Sequence, residues 1–446
     1  MRYFILLLAF VTAAVACKRD ADLDERPDFR EAKNVVQAWN ALLLDLERHT
    51  EGYRAPVSAR MFAYMGMAAY ESAMPALIQD HLSVAAYCPG YAPPPIPKSG
   101  VFNLPASLNA AYGQSIRHFF PTASQQMKQR IEDTETGLAK QFVSGLADEN
   151  YARSVAYGRS VADAVWQWSR MDSLGHDAYL YNYDRSYVPP VCIGCWQPDE
   201  IHRTPALTPH WGKVRLFLLR RGQIAVNPPA SFDDEPGSTF YTEAMEVFSV
   251  SQPMSKENRW LAEFWSDDVP GLTVTPAGRW ISIANQAVEQ YPISLPETLE
   301  LYLRLGWALN DACVICWDAK YQYNVERPQA YVNRYIQPGW EPLHANPSFP
   351  AYPSGHSAFG AAAAEVLGDV IGYDTPITDR THIHRKEFAG KPREFGSFAE
   401  MAQENAFSRV ALGVHYRMDC EEGLRLGRLV GREIIHMKLR RNEVRL

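Results

Sequence analysis

The chain has 446 residues, 47% apolar and 21% charged, which is enough to bury a large core and excludes a disordered or low-complexity protein. A formal charge of −7 with no polybasic run before the last residues excludes the basic field that collects nucleic acid, so no nucleic-acid partner is expected.

The N-terminus reads Arg2, an apolar run over 3–15, then Ala16, Cys17 and a polar stretch. That is the pattern of a secretory signal, too short to span a membrane. Ala14-Val15-Ala16-Cys17 resembles a bacterial lipoprotein cleavage site. The expectation is a lipoprotein-type signal peptide over 1–16, lipidation at Cys17 and a polar tether over 17–34; ordinary signal cleavage nearby, with Cys17 lost, is the alternative. Either way the chain is exported, to the periplasm, the outer membrane or the cell surface. Past residue 17 no uncharged apolar run approaches the roughly 20 residues of a membrane helix, so a lipid anchor is the expected membrane contact.

Helical periodicity dominates the body. Val35, Val36, Trp39, Leu42, Leu43 and Leu46 fall on one face, and 61–77 continues in that style. Further helices are predicted at about 105–119, 122–145, 148–171, 255–266, 276–290, 294–321, 355–371, 399–415 and 420–438. Strand-like alternation is scarce, so the expected fold is all-α. Proline-rich loops at 88–105, 188–211 and 227–238 suggest a divide between an N-terminal bundle over 35–240 and a catalytic bundle over 241–446. Beyond Cys17 the chain holds Cys88, Cys192, Cys195, Cys313, Cys316 and Cys420. Their even number in an exported chain favours disulfides, while the two Cys-x2-Cys pairs also have the spacing of a four-thiolate zinc site.

Three segments of the second bundle carry chemistry. Lys320 and Arg327 are seven positions apart, two turns if one helix runs to Pro328, which would put an ammonium and a guanidinium fork on one side. Ser354, Gly355 and His356 break the chain and open an Ala-rich helix; a hydroxyl, a backbone N–H and the positive end of a helix dipole make an anion seat there, with glycine allowing close approach. In the third segment His415 and Asp419 are four apart, so that on a helix the carboxylate holds one imidazole nitrogen and presents the other; Arg409 supplies a further guanidinium.

In that order, Lys-x6-Arg-Pro, Pro-Ser-Gly-His and Ser-Arg-x5-His-x3-Asp form the signature of the superfamily of type 2 phosphatidic acid phosphatases and vanadium-dependent haloperoxidases, which the sequence resembles without a gap. Residues 209–215 and 59–64 look like its two-bundle bacterial haloperoxidase branch, and the Trp317-Asp318-x-Lys320 and Phe349 pattern is most similar to iodoperoxidases. The resemblance implies an all-α fold of two helical bundles and one anion pocket serving two chemistries. In the haloperoxidase, vanadate is the cofactor: His415 is its axial ligand, Lys320, Arg327, Ser354, Gly355 and Arg409 hold its oxygens, His356 manages protons, and Trp317 and Phe349 flank the halide. The partners are then hydrogen peroxide, a halide (iodide or bromide) and a small-molecule substrate. In the alternative, an exported acid phosphatase without a cofactor, His415 attacks phosphorus and His356 protonates the leaving alcohol. Phe264 or Trp265 is a further candidate for the pocket wall, and His344, His382 and His384 read as surface residues. A glycan-binding lipoprotein without catalysis is the remote third reading.

Overall fold

A computed structural model describes residues 26–98, 100–142, 148–198 and 204–441, so the expected signal peptide and Cys17 lie outside the described residues. The first described helix, α1 (Pro27–His49), starts with proline at its first turn, where a missing N–H costs nothing. Residues 27–34, expected in the tether, are thus its opening turns, and Phe29 and Ala32 are already buried. Helices of eight or more residues continue as α2 (Ala55–Ser72), α3 (Leu104–Phe119), α4 (Gln125–Phe142), α5 (Asp148–Arg170), α6 (Thr239–Ser251), α7 (Lys256–Phe264), α8 (Pro276–Gln290), α9 (Leu295–Tyr323), α10 (Pro328–Tyr335), α11 (Gly355–Ile371), α12 (Phe398–Leu412) and α13 (Arg417–Ile435). Strand is confined to two antiparallel pairs, β1 (Tyr183–Asp184) with β2 (Ala206–Leu207) and β3 (Ile377–Asp379) with β4 (Arg393–Phe395). Caps fall where sequence chemistry puts them: Ser294 and Glu297 form a capping box on α9, and Ser238, Thr275 and Ser397 each accept an N–H of the helix they open.

The centre of the molecule is the crossing of α2 and α9. Every residue of α2 is buried. A Cβ on Gly66 would lie 2.5 Å from the Tyr302 carbonyl oxygen, and one on Gly306 would lie 2.7 Å from that of Phe62, so the two backbones touch only because both residues are glycine. One apolar cluster consequently runs from Phe29 to Leu439 and draws on both sides of the divide expected near residue 240. The two stretches singled out early in the chain also meet, since Arg215 donates to the Tyr64 hydroxyl at 2.8 Å.

Two cysteine expectations change. Cys192 and Cys195 are disulfide-bonded to each other, whereas Cys88, Cys313, Cys316 and Cys420 are buried free thiols. The zinc reading falls, because one thiol pair is consumed and the other faces the core of α9.

A buried ion cluster ties the first half to the C-terminus. Glu300 on α9 bonds His81 at 3.0 Å and Arg440 at 2.8 Å and lies near Arg304. Burial alone would raise the Glu300 pKa, but the His81 hydrogen bond and the Arg440 and Arg304 charges outweigh it and hold the group at about 2, down from 4.5. A depressed carboxyl stabilises the fold above its ordinary pKa, and that contribution is lost as pH falls from 4.5 towards 2. Glu300→Gln should therefore cost about 3 kcal/mol at pH 7 and less at pH 3. Denaturant midpoints of the two proteins at both pH values check this, and an equal gap at both would rule it out. Gly66→Ala should lower stability by ~2 kcal/mol or more by forcing α2 off α9, measured the same way.

Candidate anion-binding site

Each predicted cation stands on a different element. Lys320 lies in the last turn of α9 and Arg409 in the last turn of α12, where the negative ends of helix dipoles favour positive charge. Arg327 does not share a helix with Lys320. Asn324 takes a left-handed conformation (φ 50°, ψ 39°) and ends α9, and Arg327, extended because proline follows it, is the N-cap of α10. Pro328 starts a helix rather than stopping one. The cations nevertheless converge, because the link over 324–327 turns Arg327 back across the loop before α11. Its Nε donates to the Phe349 carbonyl at 3.0 Å and its Nη1 to that of Val414 at 2.7 Å.

His415 also sits off the helix expected to carry it. Gly413, at φ 90°, ends α12 two residues earlier, and α13 begins at Arg417. The expected pairing forms all the same: His415 Nδ1 lies 2.9 Å from Asp419 Oδ2, which also accepts the Tyr416 N–H at 3.1 Å as a cap of α13. With Nδ1–H donating to the carboxylate, Nε2 carries no proton and accepts from Arg327 Nη1 at 3.2 Å. Burial raises the Asp419 pKa, opposed by Lys320 and Arg327.

Ser354 is the N-cap of α11, its hydroxyl accepting from the Ser357 N–H, and Gly355 and His356 are the first helical residues, whose N–H groups have no acceptor within the helix. A Cβ on Gly355 would lie 3.1 Å from the Trp317 ring, a tight contact, so glycine also lets that ring pack against the start of α11. His356 Nε2 lies 3.4 Å from Arg409 Nη1. Burial first, then Arg409, Lys320 and Arg327, hold the His356 pKa well below its ordinary value; burial, Arg327 and Lys320 do the same for His415. Both imidazoles are neutral near pH 7.

These groups meet at one end of a cavity of about 720 Å³ whose wall includes Arg327, Gly355, His356, Arg409 and His415, with Trp317 and Phe349 beside them. Lys320 stands behind that wall. It is fully buried, and its Nζ donates to the carbonyls of Pro350 at 3.0 Å, Ala351 at 2.8 Å and Pro353, so it braces the loop that carries the α11 N-terminus and adds charge from below. Ser354 is fully buried too. Trp317 and Phe349 pack with ring centroids 5.1 Å apart, and Lys320 Nζ lies 5.1 Å from the Phe349 centroid. Phe264 and Trp265 do not line the cavity; Trp265 offers its carbonyl to Arg409 from behind. His344 is on the rim beside Glu263, and His382, expected at the surface, is buried against Arg279.

Among the described residues none of Lys320, Arg327 and Arg409 makes an ion pair with a carboxylate; their direct partners are carbonyls, a hydroxyl and two neutral imidazoles. Burial lowers the pKa of both guanidiniums to about 10, and they stay charged near neutral pH. The cradle therefore gathers cations without a direct carboxylate partner, helix N–H donors and an unprotonated imidazole nitrogen, while Asp267 on the same cavity wall is paired with Arg279. A tetrahedral or trigonal-bipyramidal oxyanion fits that donor set.

Trp196 and Glu326, not among the expected site residues, also line the cavity. Glu326 adjoins the Lys-x6-Arg motif, and Trp196 follows the second cysteine of a Cys-x2-Cys pair; neither neighbourhood announces a pocket.

Comparison with known proteins agrees with this geometry. Residues 300–442 match the family model of the VCPO second helical-bundle domain, a span that contains every cradle residue. The chain is 24% identical over 280 residues to the vanadium chloroperoxidase of Curvularia inaequalis, covering 47% of this chain and 46% of that protein. It is 31% identical over 168 residues to the vanadium-dependent bromoperoxidase of Ascophyllum nodosum, covering 36% of this chain and 27% of that protein. The alignments thus span less than half of either relative's length. Its structure is similar to that of a bacterial vanadium-dependent iodoperoxidase, with a TM-score of 0.77 and 28% identity over 91% of this chain and 97% of the other. A bacterial vanadium-dependent chloroperoxidase shares the fold, with a TM-score of 0.66 and 17% identity over 85% of this chain and 93% of the other. With its cradle inside the matched domain and its helices superposing along nearly the whole of one such enzyme, the chain belongs to the vanadium haloperoxidase superfamily.

Proposed function

We propose that this chain is a vanadate-dependent haloperoxidase that oxidises iodide or bromide with hydrogen peroxide, and that it is exported and tethered through Cys17. The observation that carries the first reading is the cluster of buried cations without direct carboxylate partners around His415, whose unprotonated Nε2 faces Arg327. His415 Nε2 is the imidazole lone pair fixed by a carboxylate on the opposite nitrogen and would hold the metal oxide, and Arg327, Arg409 and the Gly355 N–H would hold its oxygens while Lys320 adds charge through the loop. Bound vanadate supplies a Lewis-acidic centre that activates peroxide without a change of metal oxidation state. The chain's own residues do the rest. Asp419 fixes the His415 tautomer and ring. His356, neutral in the free site, takes a proton where an oxyanion offers one, since the anion's negative charge offsets the cations that depress its pKa. Trp317 and Phe349 present apolar faces to the space where a halide would approach. Export is supported by the N-terminal sequence pattern, and no described helix is long and apolar enough to cross a membrane.

Purified protein loaded with orthovanadate should oxidise iodide with peroxide, and bromide more slowly, while hydrolysis of p-nitrophenyl phosphate without vanadate stays weak. Strong phosphatase activity inhibited by phosphate, with no halide oxidation after loading, would replace this reading with that of a phosphatase using a His415 phosphoenzyme. His415→Ala should abolish turnover, and Asp419→Asn should weaken vanadate binding about 10- to 100-fold, because the imidazole loses the carboxylate charge that fixes its tautomer and an amide N–H can face Nδ1 instead. Titration of vanadate against each variant measures both, and unchanged affinity in Asp419→Asn would remove the orienting role.

A further inference from the structure

Cys88, Cys313, Cys316 and Cys420 are buried thiols, but the Cys192–Cys195 disulfide stands within reach of solvent: Cys192 is exposed, and Cys195 is half-buried and lines the cavity. The cross-link closes a tight turn. Gly194 supplies its left-handed residue (φ 77°), and the Cys195 N–H donates to the Cys192 carbonyl at 3.2 Å. The tip of this turn has no core of its own, since Val188, Val191 and Ile193 are 81%, 92% and 77% exposed. Apolar side chains held in water favour rearrangement once a constraint on the backbone is lifted.

The turn lies against the segment that aims Arg327. Cys195 pairs with Val325 in an antiparallel bridge, the Trp196 N–H donates to the Asn324 carbonyl at 2.8 Å, and the Glu326 N–H donates to that of Gly194 at 2.9 Å. On the other side the Val325 carbonyl accepts from the Ala351 N–H at 2.9 Å, and Ala351 belongs to the loop that Lys320 braces. Residues 324–326 thus run between the disulfide turn and the loop that leads to α11. Arg327 follows directly, so a turn that lets go of 324–326 loosens the backbone from which this guanidinium reaches the cradle.

We propose that Cys192 and Cys195 are a redox-active pair whose disulfide tightens the hold of the cradle on an oxyanion and whose reduction by a dithiol loosens it. In the reduction, two electrons and two protons pass from the dithiol to the two sulfurs, leaving two thiols and the disulfide form of the reductant. Hydrogen peroxide reverses it. The Cys192 sulfur attacks one peroxide oxygen, giving a sulfenic acid and water, and the Cys195 sulfur then displaces a second water to close the S–S bond. Peroxide as both co-substrate and setting agent rests on the haloperoxidase reading; the clasp itself needs only an oxyanion in the cradle.

The test compares the full chain before and after dithiothreitol. Alkylation of the folded, reduced protein followed by mass spectrometry should label Cys192 and Cys195 while the buried Cys88, Cys313, Cys316 and Cys420 stay unlabelled. Calorimetric titration with inorganic phosphate should show binding about five-fold weaker in the reduced chain, part of the constraint that a short cross-link places on an open turn, and peroxide should restore it. A Cys192→Ser, Cys195→Ser double variant should bind as weakly as the reduced chain and ignore both reagents. Cys192 and Cys195 unlabelled after dithiothreitol, or labelled with phosphate affinity undiminished, overturns the proposal whatever the variant does. Absence of phosphate binding in either state would overturn the oxyanion reading of the cradle as well, so the two fail separately.

Discussion

The structure is organised around positive charge that it does not neutralise. Two guanidiniums reach the inner end of the cavity and an ammonium lies just behind, and their hydrogen bonds go to main-chain carbonyls, a hydroxyl and neutral imidazoles. Taking such ions out of water is expensive without a counter-charge, and carbonyl dipoles recover only part of the cost. Helix ends recover more: Lys320 and Arg409 sit where the dipoles of α9 and α12 are negative, while α11 points its positive end into the same space. The fold thus stabilises each cation singly and leaves their sum for a ligand. The carboxylates close by are engaged elsewhere: Asp419 with His415 Nδ1 and the Tyr416 N–H, so that it orients the imidazole, and Asp267 with Arg279.

Holding such charges together requires rigid support, and close helix contacts supply it. Gly66 and Gly306 let α2 and α9 touch, fixing the helix whose last turn carries Lys320. A Cβ on Gly423 would lie 2.5 Å from the Ser354 carbonyl oxygen, so α13 is seated directly on the start of α11, and the Ser354 N–H donates to the Asp419 carbonyl at 2.8 Å. The anion seat and the histidine ligand are in this way parts of one backbone assembly. Shifting either helix would move both.

Much of this was legible in the sequence, and the failures have physical causes. Long amphipathic helices such as 276–290 and 355–371 announced themselves by period and by Ser, Thr and Pro at their starts, and the structure has them at those bounds. The motif residues converge as their order implied. What spacing could not tell was which turns are helical: Asn324 and Gly413, both left-handed, cut the helices expected to join Lys320 to Arg327 and to carry His415, so the right partners meet by another route. Cysteine pairing and the place of Trp196 depend on contacts distant in sequence, and no local pattern encodes those. His382 misled for a related cause, since a histidine in a polar stretch reads as exposed until Arg279 closes over it.

A phosphatase and a haloperoxidase ask the same things of the cradle, so the difference between them must lie in what surrounds it. A hydrolytic site works with water as co-substrate and benefits from a wet approach. Here the space beside the cradle is walled by Trp317 and Phe349, which pack on each other and also lie against Lys320, with Arg327 against Phe349. Aromatic faces beside a cation lower the local polarity without competing for the anion's oxygens, and low polarity strengthens the hold of cations on an anion that stays bound. It also favours a weakly hydrated halide over water at the same approach. The aromatic pair thus gives the cradle an approach of low polarity on one side, which the cations alone would not.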